Sequence, residues 1–186
     1  MPACLSKEPD REIWPELFEP DFAEKYHVVK HALGDVSPLP FHYNDGGRKA
    51  AGFGLPSRDC VARSIAIASG LAYQDVYTFL AEQNALQRAS KNTPKRQRSA
   101  DDGIFTRRAW FNRYLVSLGF KWTPTLHVGD NRRTYLREGQ LPLGRVIVSI
   151  KGHYTTLIDG VIHDTYDPSK NGKACVLGFW SKQKNT

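Results

Sequence analysis

Residues 146–166, VIVSIKGHYTTLIDGVIHDTY, decide the fold of the last third of this chain. β-branched and aromatic side chains alternate with polar ones on both sides of the Asp-Gly dipeptide at 159–160. Asp-Gly is a strong hairpin signal, because a type I′ turn needs positive φ at both of its central residues. With these two residues as the turn, Thr156 is expected to pair with His163. The run ACVLGFW at 174–180 adds a further strand, so the pattern predicts an antiparallel sheet.

The expected register also sorts the polar side chains of the hairpin into two faces. Because side chains alternate along a strand, His153 and Asp164 fall on one face while His163 falls on the other. His153 and Asp164 become diagonal neighbours about 7 to 8 Å apart at the backbone, a distance that an imidazole and a carboxylate can bridge. Asp164 would then hold one ring nitrogen of His153 and leave the other to accept a proton, as the acid of a catalytic triad does. His163 is the rival base, although a histidine in a strand is more often a packing residue.

Upstream of the sheet, the apolar spacing changes to that of helices. The segment Cys60–Ser69, CVARSIAIAS, is predicted to be a mostly buried helix with Asp59 as its N-cap and Gly70 as its stop. Further amphipathic helices are expected near 76–83 and 110–118. Helices followed by a sheet predict an α+β domain, in which N-terminal helices pack on a C-terminal antiparallel sheet.

Cys60 is the candidate nucleophile. It follows a loop with four glycines at 44–56 and opens a helix, where unpaired N–H groups favour a thiolate and can stabilise an oxyanion. The neighbouring carboxylate of Asp59 disfavours a thiolate, so capping is its expected role. A free cysteine is more commonly a small apolar residue of a core, and it is the combination with His153 and Asp164 that favours catalysis.

A cysteine that opens a buried helix, followed by a histidine and an aspartate on successive strands, resembles the papain-like superfamily of cysteine peptidases. The segments YNDGGRKAAGFG, DCVARSIAIASG, QLPLGRVIVSIKGHYTTLIDGVIHDTYDP and CVLGFW resemble a group of small proteins of bacteriophages and bacteria, and the similarity covers about residues 41–180. The resemblance implies a papain-like cysteine-hydrolase fold. It also implies a thiol hydrolase that cleaves a peptide, isopeptide or related amide bond, with Cys60 as nucleophile, His153 as base and Asp164 as orienting acid. The implied partner is a peptide or protein substrate, and no metal or other cofactor is implied.

The chain departs from papain around the nucleophile. Gly54 stands six residues before Cys60, where papain has the glutamine of its oxyanion hole. Asn44 is the candidate for this donor, because a carboxamide donates a hydrogen bond without carrying charge. A turn-forming role for Asn44, ahead of Asp45-Gly46, is equally consistent with the sequence.

A chain of 186 residues is long enough for one sizeable core. We expect an N-terminal arm at 1–40, in which only Asp21–Leu33 has a helical pattern, and a catalytic domain at 41–186. A flexible basic insertion is expected at about 88–103, because residues 88–98 hold five basic and no acidic side chains. No apolar run approaches the roughly 20 residues of a membrane helix, and no signal-peptide pattern opens the chain, so the protein is expected to be soluble and cytoplasmic, without a membrane partner.

Three cysteines are too few and too widely spaced for a disulfide framework or a zinc site. Cys4 and Cys175 have no acid–base partner suggested by the sequence and are expected to be inert. Trp180 is expected to pack in the core.

The net charge of +7 leaves two other classes of function open. One is a catalytically silent papain-like scaffold that binds a host protein or nucleic acid; the missing glutamine favours it, and the intact Cys, His and Asp oppose it. The other is a small basic nucleic-acid binder, with an acidic macromolecule as its partner at the basic loop. Such a binder would use Lys95, Arg96, Arg98, Arg107, Arg108, Arg132 and Arg133. Residues 88–98 carry no aromatic ring on which a base could stack, which favours a solvated loop. The same catalytic residues could perform hydrolysis or acyl transfer.

Overall fold

The computed structural model of the chain describes residues 37–54, 58–86, 99–126 and 133–182. These residues belong to one compact unit that begins at Ser37. The expected helix at Asp21–Leu33, Cys4 and the basic stretch at 88–98 lie outside the described residues.

The strands in the described residues form one mixed sheet. They are β1 (Phe41–Tyr43), β2 (Phe120–Pro124), β3 (Arg145–Ile150), β4 (His153–Ile158), β5 (Val161–Asp164) and β6 (Val176–Lys182). Their order in the sheet is β1-β5-β4-β3-β6-β2, and all neighbours are antiparallel except β1 and β5, which are parallel. The expectation of a wholly antiparallel sheet is therefore wrong, because β1 comes from before the helices and reaches β5 through a long crossover, as a parallel pair requires. The α+β class is confirmed.

The hairpin between β4 and β5 has the expected register. Thr156 pairs with His163 across the two strands. Asp159 and Gly160 have φ values of 48° and 83°, as a type I′ turn requires. The first residue of β4 and the last residue of β5 therefore lie at the same open end of the hairpin.

The described residues contain three helices at about the expected positions. They are α1 (Cys60–Ser69), α2 (Tyr73–Ala85) and α3 (Ala109–Ser117). Residues 61–68 of α1 are all buried, and the helix ends at Gly70, whose φ of 80° is left-handed. The Thr156 hydroxyl of β4 donates a hydrogen bond of 2.9 Å to the Ser64 carbonyl of α1. This bond fixes α1 against the hairpin.

Apolar side chains pack on both faces of the sheet. One cluster joins the helices to the sheet through side chains such as Ile65, Phe111 and Trp180. The other cluster, which includes Val148 and Ile162, covers the opposite face. Neighbouring residues of β3 alternate between the two clusters, as the pleat requires. Trp180 is 3% exposed, so its expected place in the core is confirmed.

Asp59 occupies the N-cap position of α1 but does not cap the helix with its side chain. The expected capping role is therefore wrong. The buried carboxylate instead accepts hydrogen bonds from Arg48, Arg63 and Tyr73. Charged donors form stronger hydrogen bonds with a carboxylate than neutral backbone amides do, which explains the exchange of partners.

Candidate active site

The side chains expected to carry chemistry meet where the N-terminus of α1 faces the open end of the β4–β5 hairpin. Cys60 is the first residue of α1, His153 the first residue of β4 and Asp164 the last residue of β5. Cys60 and His153 line a cleft of about 1560 Å³. Asp164 is 3% exposed and contacts His153 without lining the cleft. The structure therefore brings the three expected residues together.

His153 and Asp164 form a short hydrogen bond. Nε2 of His153 lies 2.7 Å from Oδ2 of Asp164, which confirms the contact expected from the hairpin register. The other carboxylate oxygen, Oδ1, accepts a hydrogen bond of 2.7 Å from the Thr165 backbone N–H and lies 3.4 Å from Nη2 of Arg63. These partners hold the carboxylate in place. Because Nε2 of His153 is engaged, Nδ1 is the ring nitrogen that is left for Cys60.

The surroundings of His153 and Cys60 favour an imidazolium and a thiolate. Burial lowers the pKa of His153, but hydrogen bonds to Asp164 and Cys60, together with the charges of both, outweigh burial and raise this pKa to about 9. Burial raises the pKa of the Cys60 thiol, but the hydrogen bond and charge of His153, the Tyr154 backbone N–H and the Arg63 charge lower it below its ordinary value of 9.0. Each charged form stabilises the other, which favours the thiolate–imidazolium pair over the neutral thiol and imidazole.

The N-terminus of α1 adds to this stabilisation. α1 is ten residues long, has no acidic side chain in its first turn and receives no side-chain cap from Asp59. Its first N–H groups therefore carry partial positive charge at the Cys60 end, which favours a thiolate. The Asp59 carboxylate could oppose this effect, but it is neutralised by Arg48 and Arg63.

Buried charges of alternating sign connect Arg48 to the His153–Asp164 pair, and Arg63 among them also lines the cleft. Arg48 Nε lies 2.8 Å from Asp59 Oδ2, and Arg63 Nη1 lies 2.6 Å from Asp59 Oδ1. Arg63 Nη2 then reaches Asp164, whose other oxygen binds His153. The side chains of the two arginines and two aspartates are at most 6% exposed. An unpaired buried ion is costly, so the alternation of charge is what allows these groups to be buried. We call these five residues the buried charge network: Arg48, Asp59, Arg63, Asp164 and His153.

Arg48 and Arg63 are the candidates that sequence reasoning missed. Arg63 stands in an otherwise apolar helix, CVARSIAIAS, at a position that the fold buries. A charged residue at a buried position needs a partner of opposite charge, so this departure from the apolar pattern was a signal that could have identified it. Arg48 lies in a glycine-rich loop and offered no comparable signal.

Asn44 lies beside Asp164, whose carbonyl accepts a hydrogen bond of 2.8 Å from the Asn44 backbone N–H, but the Asn44 side chain does not reach the cleft. Its Oδ1 accepts a hydrogen bond of 2.8 Å from the Gly46 backbone N–H, and its Nδ2 lies 3.4 Å from Nδ1 of His163. It is not among the residues that line the cleft with Cys60. The structure therefore supports the turn-forming role, because Oδ1 accepts from Gly46 and the donating Nδ2 faces His163 rather than the cleft.

His163 is not placed to compete with His153. Its ring lies 4.9 Å from the ring of His42, the residue paired with it on β1. Burial, followed by the charges of His42 and Arg145, lowers the pKa of His163. The Asp164 carboxylate binds His153 instead, which is the arrangement expected from the hairpin register.

Cys175 lies away from the site. Cys175 immediately precedes β6 and forms an isolated β-bridge with Tyr135. Its sulfur lies 3.8 Å from the Val176 carbonyl oxygen. It does not line the cleft. Of the two cysteines that the structure describes, Cys60 is the one beside a histidine and a carboxylate.

Three further findings bear on the class of protein. Within the described ranges, no group of three or more His, Cys, Asp or Glu side chains could hold a metal ion. None of the helices described here combines the length and the apolar character that crossing a membrane requires. Comparisons with protein-family models, with curated proteins and with solved structures found no match to this chain. Function must therefore be inferred from the geometry around Cys60.

Proposed function

We propose that the protein is a thiol hydrolase that cleaves a peptide, isopeptide or related amide bond, with Cys60 as nucleophile, His153 as base and acid, and Asp164 as orienting acid. The observation that carries this proposal is the series of contacts from Asp164 through the His153 ring to Cys60. Asp164 engages one ring nitrogen of His153, and Cys60 interacts with the same ring. A cysteine that serves only to pack a core needs no such partners.

In the first half of the reaction, the Cys60 thiolate attacks the carbonyl carbon of the scissile amide and forms a C–S bond. The negative charge moves to the carbonyl oxygen, where the Cys60 backbone N–H and the N-terminus of α1 can stabilise it. The His153 imidazolium then donates its Nδ1 proton to the leaving nitrogen as the C–N bond breaks. The amine departs, and the acyl group remains as a thioester on Cys60.

In the second half, neutral His153 accepts a proton from water through Nδ1 while the water oxygen attacks the thioester carbon. The C–S bond breaks, the carboxylic acid leaves and the thiolate–imidazolium pair is restored. Because Asp164 binds Nε2, it keeps Nδ1 directed at the reacting atoms in both halves. An amine that replaces water would turn hydrolysis into acyl transfer with the same residues.

A papain-like arrangement is the second part of the proposal. The chain order Cys, His, Asp supports it, together with a nucleophile at the N-terminus of a buried helix. The base and the acid stand on adjacent antiparallel strands of the sheet on which that helix packs.

Labelling with a peptide vinyl sulfone, followed by peptide mapping, tests the proposal. We expect Cys60 to be labelled before Cys175 at neutral pH, because Cys60 has His153 as an activating partner and the described residues give Cys175 none. His153→Ala is expected to slow the labelling of Cys60 about 100-fold. The matched control is His163→Ala, the same substitution on the neighbouring strand, which should keep the wild-type rate. Equal rates in the two histidine variants, or no preference for Cys60, would reject the nucleophile and favour a catalytically silent scaffold.

A further inference from the structure

Five arginines line the cleft beside Cys60, and one of them, Arg63, belongs to the buried charge network. Of the other four, Arg58 stands two residues before the nucleophile, Arg107 and Arg108 precede α3, and Arg113 lies within α3. Among the described residues, no aspartate or glutamate lines the cleft. Positive charge is therefore concentrated next to the reactive thiol.

Arg63 is paired with Asp59 and Asp164. In the part of the chain that the structure describes, no ion pair involves Arg58, Arg107, Arg108 or Arg113. The Arg108 guanidinium lies 5.2 Å from the centre of the Phe105 ring, and its Nε is buried without a hydrogen-bond partner among the described residues. The ring holds this guanidinium in place, and none of the carboxylates described in the structure pairs with it.

The N-terminus of α3 adds partial positive charge to the same wall. α3 has no acidic residue in its first turn and no side-chain cap at Arg108. Ala109, the first residue of α3, lines the cleft. Arginine side chains and helix N-terminal N–H groups both bind carboxylates well. This wall is therefore suited to an anionic side chain.

The size and the apolar parts of the cleft fit an extended chain. Its volume is about 1560 Å³, which exceeds the roughly 300–1,000 Å³ of typical small-molecule sites. Leu126, which is 49% exposed, lines it together with Ile104 and Leu177. A polypeptide can place apolar side chains against this surface and acidic ones against the arginines.

We propose that the cleft binds an acidic peptide segment, so that the substrate is a polypeptide with Asp or Glu side chains beside the bond that meets Cys60. The inference rests on the proposed thiol hydrolase, because a thiolate needs an acyl carbon and a polypeptide supplies one.

The aromatic rings of the cleft argue against a nucleic acid. Tyr166 is 52% exposed, but its ring already packs on the His153 ring at 5.1 Å between ring centres. Trp180 is 3% exposed, and Trp122 packs against Trp180 at 5.3 Å between ring centres and against Gly178, so both rings are engaged and poorly placed to stack on a base.

Two peptide vinyl sulfones of equal length test this inference, one with glutamate and one with glutamine at the positions that flank the reactive group. The second-order rate of Cys60 labelling is measured by intact mass at low and at high salt. We expect the glutamate probe to react about 10-fold faster at low salt, with most of the preference lost at high salt because ions screen the attraction. The double variant Arg107→Gln/Arg113→Gln is expected to lose most of the preference as well.

The matched control is Lys49→Gln/Lys173→Gln, which removes the same charge from exposed residues that do not line the cleft. This control is expected to keep the preference for the glutamate probe. Equal rates for the two probes in the wild type, or the same loss of preference in both double variants, would overturn the inference.

Iodoacetamide, a small neutral reagent, separates this inference from the proposed function. Fast iodoacetamide labelling of Cys60 without a glutamate preference would reject the acidic substrate and retain the thiol hydrolase. Slow labelling would reject the hydrolase, and fluorescence anisotropy of the two peptides on Cys60→Ala would then test the cleft alone. Tighter binding of the glutamate peptide supports an acidic partner, and equal binding overturns it. Tighter binding of a single-stranded oligonucleotide that is lost in Arg107→Gln/Arg113→Gln would replace the peptide by a nucleic acid.

Discussion

Replacing Arg63 by methionine removes the central cation of the buried charge network. Methionine is flexible and unbranched, so it can fill much of the space of the arginine stem without charge. Asp59 keeps its contact with Arg48, and Asp164 keeps its contact with His153. The substitution therefore tests what the bridge between the two carboxylates contributes.

The expected loss is about 3 kcal/mol in the free energy of unfolding, at the lower end of the 3–5 kcal/mol that follows when one partner of a buried ion pair is removed. The lower end applies because each carboxylate keeps a partner. Most of the loss should come from Asp59, since Arg63 lies 2.6 Å from Asp59 but 3.4 Å from Asp164.

Urea unfolding of the wild type, Arg63→Met and Arg63→Lys measures this loss. Lysine has no planar fork with which to bind two carboxylates, so Arg63→Lys should recover only a small part of the stability. The rate of iodoacetamide alkylation against pH reports on the site. The pKa of Cys60 should rise in Arg63→Met, because the Arg63 charge lowers it in the wild type. A loss below about 1 kcal/mol, typical of a surface ion pair, together with an unchanged Cys60 pKa would refute this role of the network.

Three further perturbations follow from the same contacts. Asp164→Asn should lower the turnover of a peptide reporter by about 10⁴-fold, because it removes the charge that orients and stabilises the imidazolium. The control His163→Ala should leave turnover unchanged, and equal losses in the two variants would contradict the assignment of Asp164. The pKa of His153 is raised from 6.5 to about 9, so its contribution to stability is fully present below pH 6.5 and is lost as the pH rises through about 9. Urea unfolding of the wild type and His153→Gln should therefore show a difference that shrinks across this window, and a growing difference would reverse the sign of the argument. Gly178→Ala should lower the free energy of unfolding by about 1–3 kcal/mol, measured by thermal denaturation, because the added methyl would overlap the Trp122 ring. A variant as stable as the wild type would mean that the Trp122 ring can move freely.

The hairpin could be predicted from the sequence because its signals are local. The Asp-Gly turn at 159–160 and the alternation on both sides of it fix the register without reference to the rest of the chain. That register alone places His153 and Asp164 at one end of the hairpin. The start of α1 could be placed for the same reason, since helix-stop and apolar-spacing signals lie within a dozen residues of Cys60.

The parts that could not be predicted depend on contacts between distant residues. β1 has three residues, all of them exposed. It pairs with β5, which comes much later in the chain, as the pairing of Phe41 with Ile162 shows, so no local pattern identifies β1. The role of Asp59 depends on Arg48 and Arg63 rather than on the helix that it precedes. Asn44 could turn the chain or donate to an oxyanion, and only the three-dimensional position of its carboxamide decided between the two.

The pKa of Cys60, read from the ultraviolet absorbance of its thiolate, tests the thiolate–imidazolium pair most directly. The signal is the difference in absorbance between the wild type and Cys60→Ser across a pH titration, so that the absorbance of the other cysteines cancels. We expect a pKa below the ordinary 9.0 in the wild type, because the hydrogen bond and charge of His153, together with the Tyr154 backbone N–H and the Arg63 charge, outweigh burial. In His153→Ala the pKa should rise above the wild-type value, because burial then opposes the thiolate without the hydrogen bond and charge of His153. A wild-type pKa at or above 9.0 that does not change in His153→Ala would contradict the ion pair and, with it, the proposed hydrolase.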